Sequence, residues 1–539
     1  MSEGTYPVLI VGAGEGGLAA SALLAHQGVQ SLLVEKRREI FVYPKARNLT
    51  FRSLEIMRRL GLESQINAVA EQIGTMIAKP ALTSDDETVA LDTESIFPNV
   101  EGISPEPFGK YCPQSKLEPI LLAETRRRGS EARYGTELVS FTQDHSGIDA
   151  TVRNLDSGSL SEVRADYLIA ADGTHSPIRR QLGLTTAGFG PLPIFVVFIY
   201  FRAPWRQFVP GLGDGVGVQI TNPDVNGIFL VAQGDLGLFM TTYFPSQGET
   251  VEKFTPQWCR EILLKAIGAD IDVEIIDLAP WQPYEQVADQ FRCGRVFLVG
   301  DSAHTMPPLK GGGANTAINS AQNLAWKLAA VVRGTAGDGL LDTYHTERHP
   351  IGRFSARQSL TGPTAAALRR GGAGPTLPAE EERPLFYMIA GYKYRSTAVV
   401  SDEPAPADPD GVHLIEGNEL HGEPGTRVPH AWVQHNRRRI STLDLLGAGF
   451  TLFTRSGGAP WARAATSASQ SLGVSINVHC ISPDADIHDI DGRWAQLTRL
   501  APDAALLVRP DDFVAWRAES LSETPEKELQ AALGRILAR

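Results

Sequence analysis

Gly12, Gly14 and Gly17 have the spacing that binds a dinucleotide. The apolar run 8–11 precedes them and an Ala/Leu-rich segment follows, which predicts a strand, a glycine turn and a helix. Gly12 makes the tight turn, Gly14 lets the backbone approach a pyrophosphate, and Gly17 lets helix and strand pack closely. Glu35 ends the next predicted strand, where its carboxylate can accept hydrogen bonds from ribose hydroxyls. The segment therefore predicts a βαβ dinucleotide-binding unit.

Two more apolar runs end in turns that carry an aspartate, Asp172 and Asp301. Continuous apolar runs of this kind are typical of strands buried in a parallel sheet. Behind the second turn, the glycine-rich run 311–314 leads into a predicted helix over residues 315–333 with one apolar face. These pieces extend the nucleotide-binding unit well beyond the N-terminal segment. The two predicted strands cover residues 167–171 and 296–299.

The composition is that of an ordinary globular protein and excludes several classes. The 539 residues are 42% hydrophobic and 21% charged, which suits about three domains. A net charge of −12 argues against a nucleic-acid partner, because a phosphate backbone needs a dense basic face. The four cysteines form neither a CxxC pair nor a zinc-binding spacing, so no metal is expected.

The chain shows no signal for export or membrane insertion. Its N-terminus lacks the basic and apolar regions of a signal peptide, and the apolar stretch 193–201 is too short to span a bilayer. We therefore expect a cytoplasmic protein, monomeric or homodimeric, that contacts neither a membrane nor nucleic acid.

Two regions have other patterns. Residues 183–284 alternate apolar and polar side chains between Gly, Pro and Asn turns, which predicts a mostly antiparallel sheet that forms the substrate wall. Segments 365–385 and 400–412 are rich in Gly, Pro and acidic residues, as linkers are. The C-terminal residues alternate strands, such as 450–453 and 505–508, with helical stretches, and so predict a separate small α/β domain.

An ordered set of segments resembles the class A flavoprotein aromatic hydroxylases, which are similar to para-hydroxybenzoate hydroxylase. The resemblance is strongest to the polyketide hydroxylase branch, whose C-terminal domain is thioredoxin-like. Cys480 is the only cysteine of the C-terminal region, so a disulfide role is not expected there. The segments are the glycine turn with Glu35, runs 114–118, 172–179, 300–308, 311–315 and 323–328, and the C-terminal runs 424–432 and 506–511.

The resemblance implies an α/β fold class. A Rossmann-like FAD-binding domain would carry an inserted antiparallel-sheet substrate domain and a C-terminal thioredoxin-like α/β domain. The expected boundaries are 1–75, 105–182 and 285–365 for the FAD-binding domain, 76–104 and 183–284 for the substrate domain, 366–412 for a linker or helical connection, and 413–539 for the thioredoxin-like domain.

The resemblance also implies FAD bound in an extended form. Glu35 would lie on the ribose, Lys45 or Arg47 on the pyrophosphate, Gln114 and Leu138 near the adenosine half, and Asp301 on the ribityl chain. The turn before the helix at Asn315 would place backbone N–H groups at the flavin's pyrimidine edge. The full expected set is Gly12, Gly14, Glu15, Gly16, Gly17, Glu35, Lys36, Lys45, Arg47, Gln114, Leu138, Asp172, Gly173, Asp301, Pro308, Gly311, Gly312, Gly313, Ala314 and Asn315.

The reaction implied is hydroxylation of an aromatic, polyketide-derived polycyclic phenol. NADPH or NADH would visit transiently to reduce FAD, and O2 would form a flavin C4a-hydroperoxide. Such a phenol needs no dedicated base, so no catalytic residue is predicted, and His304 is interpreted as structural. Position alone makes four side chains of the substrate domain candidates for substrate contact: Tyr200, Arg202, Gln219 and Tyr243.

Three departures and three alternatives qualify the resemblance. Glu15-Gly16, Lys310 and Asn319-Ser320 differ from the usual family residues. Lys310 either lies near the flavin, where it tunes the potential or touches the substrate, or points to solvent. A flavin-dependent halogenase is disfavoured, because no two tryptophans stand two positions apart. A redox-neutral FAD-containing cyclase of polyketide biosynthesis and a flavin-binding protein without activity stay open.

Overall fold

The computed structural model describes residues 2–40, 46–91, 100–106, 108–233, 235–362, 365, 366, 368, 380–403 and 411–539. Lys45 therefore lies outside the described residues, as do parts of the segments interpreted as linkers. Among the helices of these ranges, none combines the length and the apolar character needed to cross a bilayer.

A mixed sheet whose central strands run parallel forms the first layer, and it confirms the predicted βαβ unit. Strand Ser2–Val11 pairs in parallel with Ser31–Glu35 on one side and with Leu160–Ala170 on the other. Helix Glu15–His26 connects the first two strands and packs against helices Gln114–Arg127 and Gly312–Val332. The eight strands of the sheet are Ser2–Val11, Ser31–Glu35, Glu131–Tyr134, Thr136–Gln143, Ile148–Asn154, Leu160–Ala170, Arg292–Cys293 and Val296–Leu298.

The helix behind the glycine-rich turn begins earlier than predicted. The sequence predicts a start at Asn315, because glycines disfavour helices. The structure has the helix over Gly312–Val332, after Gly311 adopts a left-handed φ of 64°. Gly312 and Asn315 are both buried, so tertiary packing outweighs the low helix propensity of the two glycines at residues 312 and 313.

A seven-stranded sheet forms the second layer. Its order is Glu274–Trp281, Phe195–Arg202, Leu236–Tyr243, Gly227–Gln233, Gly217–Ile220, Met76–Lys79 and Thr88–Leu91. All neighbours run antiparallel except Gly217–Ile220 and Met76–Lys79, which run parallel. The predicted antiparallel sheet is thus confirmed. Helix Pro256–Ile267 covers one face with Cys259, Ile262, Leu263, Ala266 and Ile267.

The C-terminal domain is thioredoxin-like in topology, as predicted. Strand Phe450–Thr454, helix Ala459–Leu472 and parallel strand Ile476–Cys480 form a βαβ unit. Strand Ala505–Val508 pairs antiparallel with Phe450–Thr454, and Val514–Ala518 pairs antiparallel with Ala505–Val508. Helix Pro525–Ile536 follows as the last element of the domain. This order is the βαβ and ββα arrangement of a thioredoxin-like sheet.

The first and last domains share a hydrophobic core. Trp326 and Ala330, on helix Gly312–Val332, pack into a cluster with Phe450, Leu507 and Trp516 of the C-terminal domain. The remaining strands are Asn48–Leu49, Glu71–Gln72, Lys110–Tyr111, Thr186–Pro191, Tyr284–Ala288, His304–Thr305, Tyr392–Lys393, His413–Leu414, Trp432–His435, Arg438–Ser441 and Ile487–His488; the remaining helices are Phe51–Arg59, Glu63–Val69, Pro177–Gln181, Gly339–Gln358, Leu385–Ile389 and Arg493–Thr498.

Candidate functional site

The three glycines of the first turn serve different purposes. Gly12 has a left-handed φ of 105°, and a Cβ there would overlap the carbonyl oxygen of Ala171. A Cβ on Gly17 would overlap the carbonyl oxygen of Gly12. Around Gly14, by contrast, no atom of the described residues lies within 4 Å of an added Cβ. The fold itself thus requires Gly12 and Gly17, whereas Gly14 leaves open space at a helix N-terminus.

Glu35 closes the turn from the neighbouring strand. Its Oε2 accepts a hydrogen bond of 2.7 Å from the N–H of Ala13, and its Oε1 accepts bonds of 2.9 and 3.0 Å from Arg37. Burial raises the pKa of Glu35, but the hydrogen bonds outweigh it and hold the pKa below its ordinary value. The carboxylate is therefore ionised, and Oε2, which accepts only the bond from Ala13, keeps a lone pair for a ribose hydroxyl. Lys36, next in the chain, is exposed.

Glu15 is a carboxylate buried at the start of helix Glu15–His26. Burial, together with the nearby charges of Glu118 and Asp301, raises its pKa to about 8. Glu118 was not predicted as a site residue; it accepts a hydrogen bond from Gln114 at the start of its own helix. Glu15 is consequently protonated at neutral pH, beside a helix end that favours anions.

We expect Glu15→Gln to stabilise the apoprotein above pH 8 by about 2 to 4 kcal/mol and to leave it unchanged near pH 5. The unfolded Glu15 ionises near its ordinary pKa of 4.5 and the folded one near 8. Between these values the folded state binds more protons, so wild-type stability falls as pH rises. Urea unfolding from pH 5 to 9 measures this. Glu162→Gln, at an exposed strand position, is the control, and a wild-type to variant difference independent of pH would contradict the prediction.

The second glycine turn is held by Asn315. Its Oδ1 accepts bonds of 2.9 and 3.1 Å from the N–H and hydroxyl of Thr50 and one of 2.6 Å from Ser53, and its Nδ2 donates to Gly311 O at 2.8 Å and to Asn48 O at 3.0 Å. No side chain in the described ranges caps the helix that begins at Gly312. Its first N–H groups remain available to a ligand. Thr50 and Ser53 carry no motif, and no sequence signal identifies them as partners of Asn315.

Arg47 lies between the two layers. Its guanidinium stacks over the ring of Tyr111 at 4.9 Å and contacts the carbonyl oxygens of Asp214 and Val231 at 3.4 Å. Within the described part of the chain, its buried Nε has no hydrogen-bond partner. Of the other predicted adenosine-side residues, Leu138 is half-buried in strand Thr136–Gln143.

The Asp172 turn is bound to the Asp301 turn through protein contacts. Oδ2 of Asp172 accepts a bond of 3.1 Å from the N–H of Ile178, so it caps the following helix. Arg179 donates to Thr174 O at 2.8 Å and to Ser302 O at 2.7 Å, and Thr174 donates to Asp301 at 3.2 Å. Gly173 has a left-handed φ of 87°. The structure supports a structural role for this turn beside any contact with a cofactor.

Two further side chains of the segment that follows strand Val296–Leu298, His304 and Lys310, are buried inside the protein. His304 is 1% exposed, packs against Phe291 at 5.9 Å, and has its pKa lowered by burial to about 3, so it is neutral. Lys310 is 4% exposed and contacts Thr361 at 2.7 Å and Glu382 at 2.9 Å. The expectation that Lys310 points to solvent is wrong, because a hydroxyl and a carboxylate hold its buried ammonium, whereas its place near the flavin stays a prediction. Pro308 is exposed.

The four predicted substrate contacts of the second layer do not lie on one surface. Tyr200 and Gln219 lie on the face that helix Pro256–Ile267 leaves uncovered, as the pairing register shows. Tyr243 lies on the opposite face, in the covered core, and stacks on Phe195 at 5.0 Å. Arg202 is exposed and pairs with Glu274 at 2.6 Å. Only Tyr200 and Gln219 thus stay candidates for substrate contact.

These residues fit an anionic dinucleotide that carries a flat ring. The described residues offer an open helix end at Gly14, a ribose acceptor at Glu35, an unsaturated guanidinium at Arg47 and a second open helix end at Gly312. Comparison with known proteins decides which dinucleotide. Residues 5–359 match the family model described as FAD binding domain, and residues 421–539 match the one described as aromatic-ring hydroxylase, C-terminal.

The chain belongs to the FAD-dependent aromatic-ring hydroxylases. The hydroxylase is 38% identical to tetracenomycin A2 monooxygenase-dioxygenase of Streptomyces glaucescens, with 100% of this chain and 98% of the relative covered. It is 34% identical to aklavinone 12-hydroxylase of Streptomyces purpurascens over the full length of both. A solved complex of aklavinone-11 hydroxylase with FAD and aklavinone superposes with a TM-score of 0.88 at 31% identity, covering both chains completely.

The predicted family, fold class and cofactor are therefore confirmed. The hydroxylase is an FAD-dependent monooxygenase with NAD(P)H as its transient reductant.

Proposed function

We propose that the hydroxylase holds FAD across the residues described above and hydroxylates a fused multi-ring phenol of the aromatic polyketide type. Bound FAD supplies the redox chemistry, since it takes electrons from NAD(P)H and activates O2. The protein supplies the binding, the orientation and the electrostatic field.

Each proposed contact follows from the chemistry of its residue. The N–H groups after Gly14 bind the diphosphate, Glu35 binds the ribose, and Arg47 neutralises a phosphate oxygen. Gly311, Gly312 and Gly313 let the backbone approach a flat ring, and the N–H groups through Asn315 stabilise negative charge on its pyrimidine edge. Gln114 and Leu138 remain proposed contacts of the adenosine half, and Asp301 of the ribityl chain.

The proposal for the substrate rests on the face of the seven-stranded sheet opposite helix Pro256–Ile267. Tyr200, Leu230 and Leu238 are buried on this face, and Phe198 and Ile228 are partly buried beside them. The apolar rows cross four neighbouring strands, and three spacings of about 4.8 Å give a wall roughly 14 Å wide. Such a wall matches the length of several fused rings, and the names of the tetracenomycin and aklavinone relatives agree with it.

The proposed wall orients the phenol ring of the substrate, and the reaction needs no dedicated base. A phenol activates its own ring carbons, so the protein has only to orient the ring and exclude water. We propose that Tyr200 and Gln219 orient the phenol, because both are polar and lie on the face of the sheet opposite helix Pro256–Ile267.

We expect Ile228→Trp to raise KM for tricyclic and tetracyclic phenols roughly tenfold, which corresponds to about 1.4 kcal/mol of lost contact. The larger side chain would obstruct the proposed wall for substrates that extend across it. KM for a monocyclic catechol should change little. Steady-state NADPH oxidation with each phenol measures this. Val89→Trp, at an edge position that is 66% exposed, is the matched control. Equal effects on large and small phenols would remove the proposed wall.

A further inference from the structure

A turn of the C-terminal domain reaches the middle of helix Gly312–Val332. Residues 509–512 join strands Ala505–Val508 and Val514–Ala518. Oδ2 of Asp512 accepts a bond of 3.0 Å from Gln322, and Oδ2 of Asp511 accepts one of 3.0 Å from Asn323. All four side chains are at most 5% exposed. The turn therefore contacts the helix through buried, charged hydrogen bonds.

Arg52 joins this turn to a third segment. Its guanidinium donates to Asp512 Oδ2 at 2.7 Å, to Gln322 Oε1 at 2.6 Å, to Asp511 O at 2.9 Å and to Glu55 Oε2 at 3.0 Å. Arg52 lies in the first turn of helix Phe51–Arg59 and is 2% exposed. One side chain thus links the C-terminal domain, the long helix and the helix that begins after Thr50.

The same short helix holds the beginning of the long helix. Thr50 and Ser53, on either side of Arg52 in the chain, donate to Oδ1 of Asn315. Helix Gly312–Val332 is consequently held at two points seven residues apart in the chain, by Asn315 at its open end and by Gln322 at its middle. A shift of Arg52 would move both attachments together.

The conformation of Asp512 indicates that the turn is built for this contact. Asp512 has a left-handed φ of 73°, which is uncommon for a non-glycine residue and is adopted mainly by Asn and Asp. Its carboxylate accepts from Arg52 and Gln322 and lies 2.8 Å from Arg59. Burial raises the pKa of Asp512, but Arg59 and Arg52 outweigh it and hold the pKa below its ordinary value. The group is therefore a fixed negative charge.

We propose that Asp511 and Asp512 are positioning residues for the flavin-facing end of helix Gly312–Val332, and act through Arg52, Gln322 and Asn323. The thioredoxin-like domain thereby sets the placement of the N–H groups after Gly311. This inference rests on the proposed function, which puts those N–H groups at the flavin ring. It assigns a role in flavin electrostatics to a domain that lacks a redox cysteine pair.

The test compares three variants of the FAD-loaded full chain. Asp512→Asn keeps the shape and tolerates a left-handed φ, because Asn is the residue after glycine that adopts it most readily. Asp511→Asn is a second variant that removes the neighbouring charge. Phe453→Leu perturbs the inner core of the C-terminal domain, where its contacts lie among residues 428–514, and is the control.

Two readouts separate positioning from general stability. Hydrogen exchange of peptides over residues 306–324 reports the helix end, and the flavin midpoint potential reports its field. We expect faster exchange and a roughly tenfold loss of preference for reduced over oxidised flavin in both Asp variants, about 30 mV for a two-electron couple. Phe453→Leu should lower Tm without either change. Unchanged potentials in both Asp variants, or equal changes in the control, would overturn the proposal.

A fourth variant separates this proposal from the flavin placement itself. Ala314→Asp introduces a carboxylate into the half-buried first turn and should lower the potential if the ring lies there. A shift in Ala314→Asp without one in the Asp511 and Asp512 variants overturns only the positioning role. No shift in Ala314→Asp overturns the flavin placement, and the positioning role with it.

Discussion

We expect Gly14→Val to weaken FAD binding at least ~100-fold, about 2.7 kcal/mol, while the apoprotein keeps its thermal stability. Beyond its neighbours in the chain, an added Cβ at residue 14 meets no described atom within 4 Å, so the fold leaves room for a larger side chain there. It would fill the open space through which the backbone approaches the diphosphate. Calorimetric titration of apoprotein with FAD, with Tm measured in parallel, checks both parts.

Two other glycines make this result specific. Gly534, in helix Pro525–Ile536, has open space around it, since the nearest atom to an added Cβ is the carbonyl oxygen of Arg539 at 4.0 Å. Gly534→Val should leave FAD affinity unchanged. Gly17→Val should lose the fold and the cofactor together, because its Cβ overlaps the backbone of Gly12. A Gly14→Val protein that binds FAD with wild-type affinity would contradict the proposed diphosphate site.

The second large effect is a loss of stability of about 3 to 5 kcal/mol in Glu347→Gln. Glu347 is 2% exposed and accepts bonds of 2.7 Å from Lys327 and of 2.6 and 2.9 Å from Arg509. Removal of its charge leaves the buried Lys327 without its carboxylate partner, and Arg509 is left with Asp511 alone. Urea unfolding, monitored by tryptophan fluorescence, measures the change.

The pH dependence of this loss has a definite sign. Burial raises the pKa of Glu347, but Arg509 and Lys327 outweigh it and lower the pKa below its ordinary 4.5. The carboxylate therefore stabilises the fold fully above about pH 4.5, and this contribution disappears as pH falls through the lower folded pKa. The gap between wild type and Glu347→Gln should narrow below pH 4.5. Glu519→Gln, 75% exposed beside Arg517, should cost under about 0.5 kcal/mol, and a similar small loss in Glu347→Gln would contradict the account.

Local patterns predicted the parts of the site that depend on neighbours in the chain. The glycine turn, the strand that ends at Glu35 and the alternation of the second sheet are short-range signals, because periodicity and turn chemistry follow from adjacent residues. The family resemblance supplied the cofactor and the C-terminal topology. The domain boundaries and the contacts of each cofactor-binding residue stay predictions.

Contacts between distant residues could not be predicted from one sequence. Asn315 meets Thr50 across 265 positions, and Arg52 meets Asp512 across 460. The neighbours of Lys310 could not be predicted for the same reason, since Thr361 lies 51 positions further along the chain and Glu382 further still. Side-chain alternation likewise predicts two faces of a strand without saying which one a helix covers, which is why Tyr243 was a candidate.

The central claim is that the flavin of this chain transfers an oxygen atom from O2 to a fused-ring phenol. The most direct measurement is product mass after turnover of the FAD-loaded protein with NADPH or NADH and a polycyclic phenol under ¹⁸O2. We expect one ¹⁸O atom in the product for each NAD(P)H oxidised, with none taken from water. The contrary result is a product that forms without NAD(P)H oxidation and without ¹⁸O, while the flavin stays oxidised with a phenol bound. This result would contradict oxygen transfer by the flavin and indicate a redox-neutral flavoprotein.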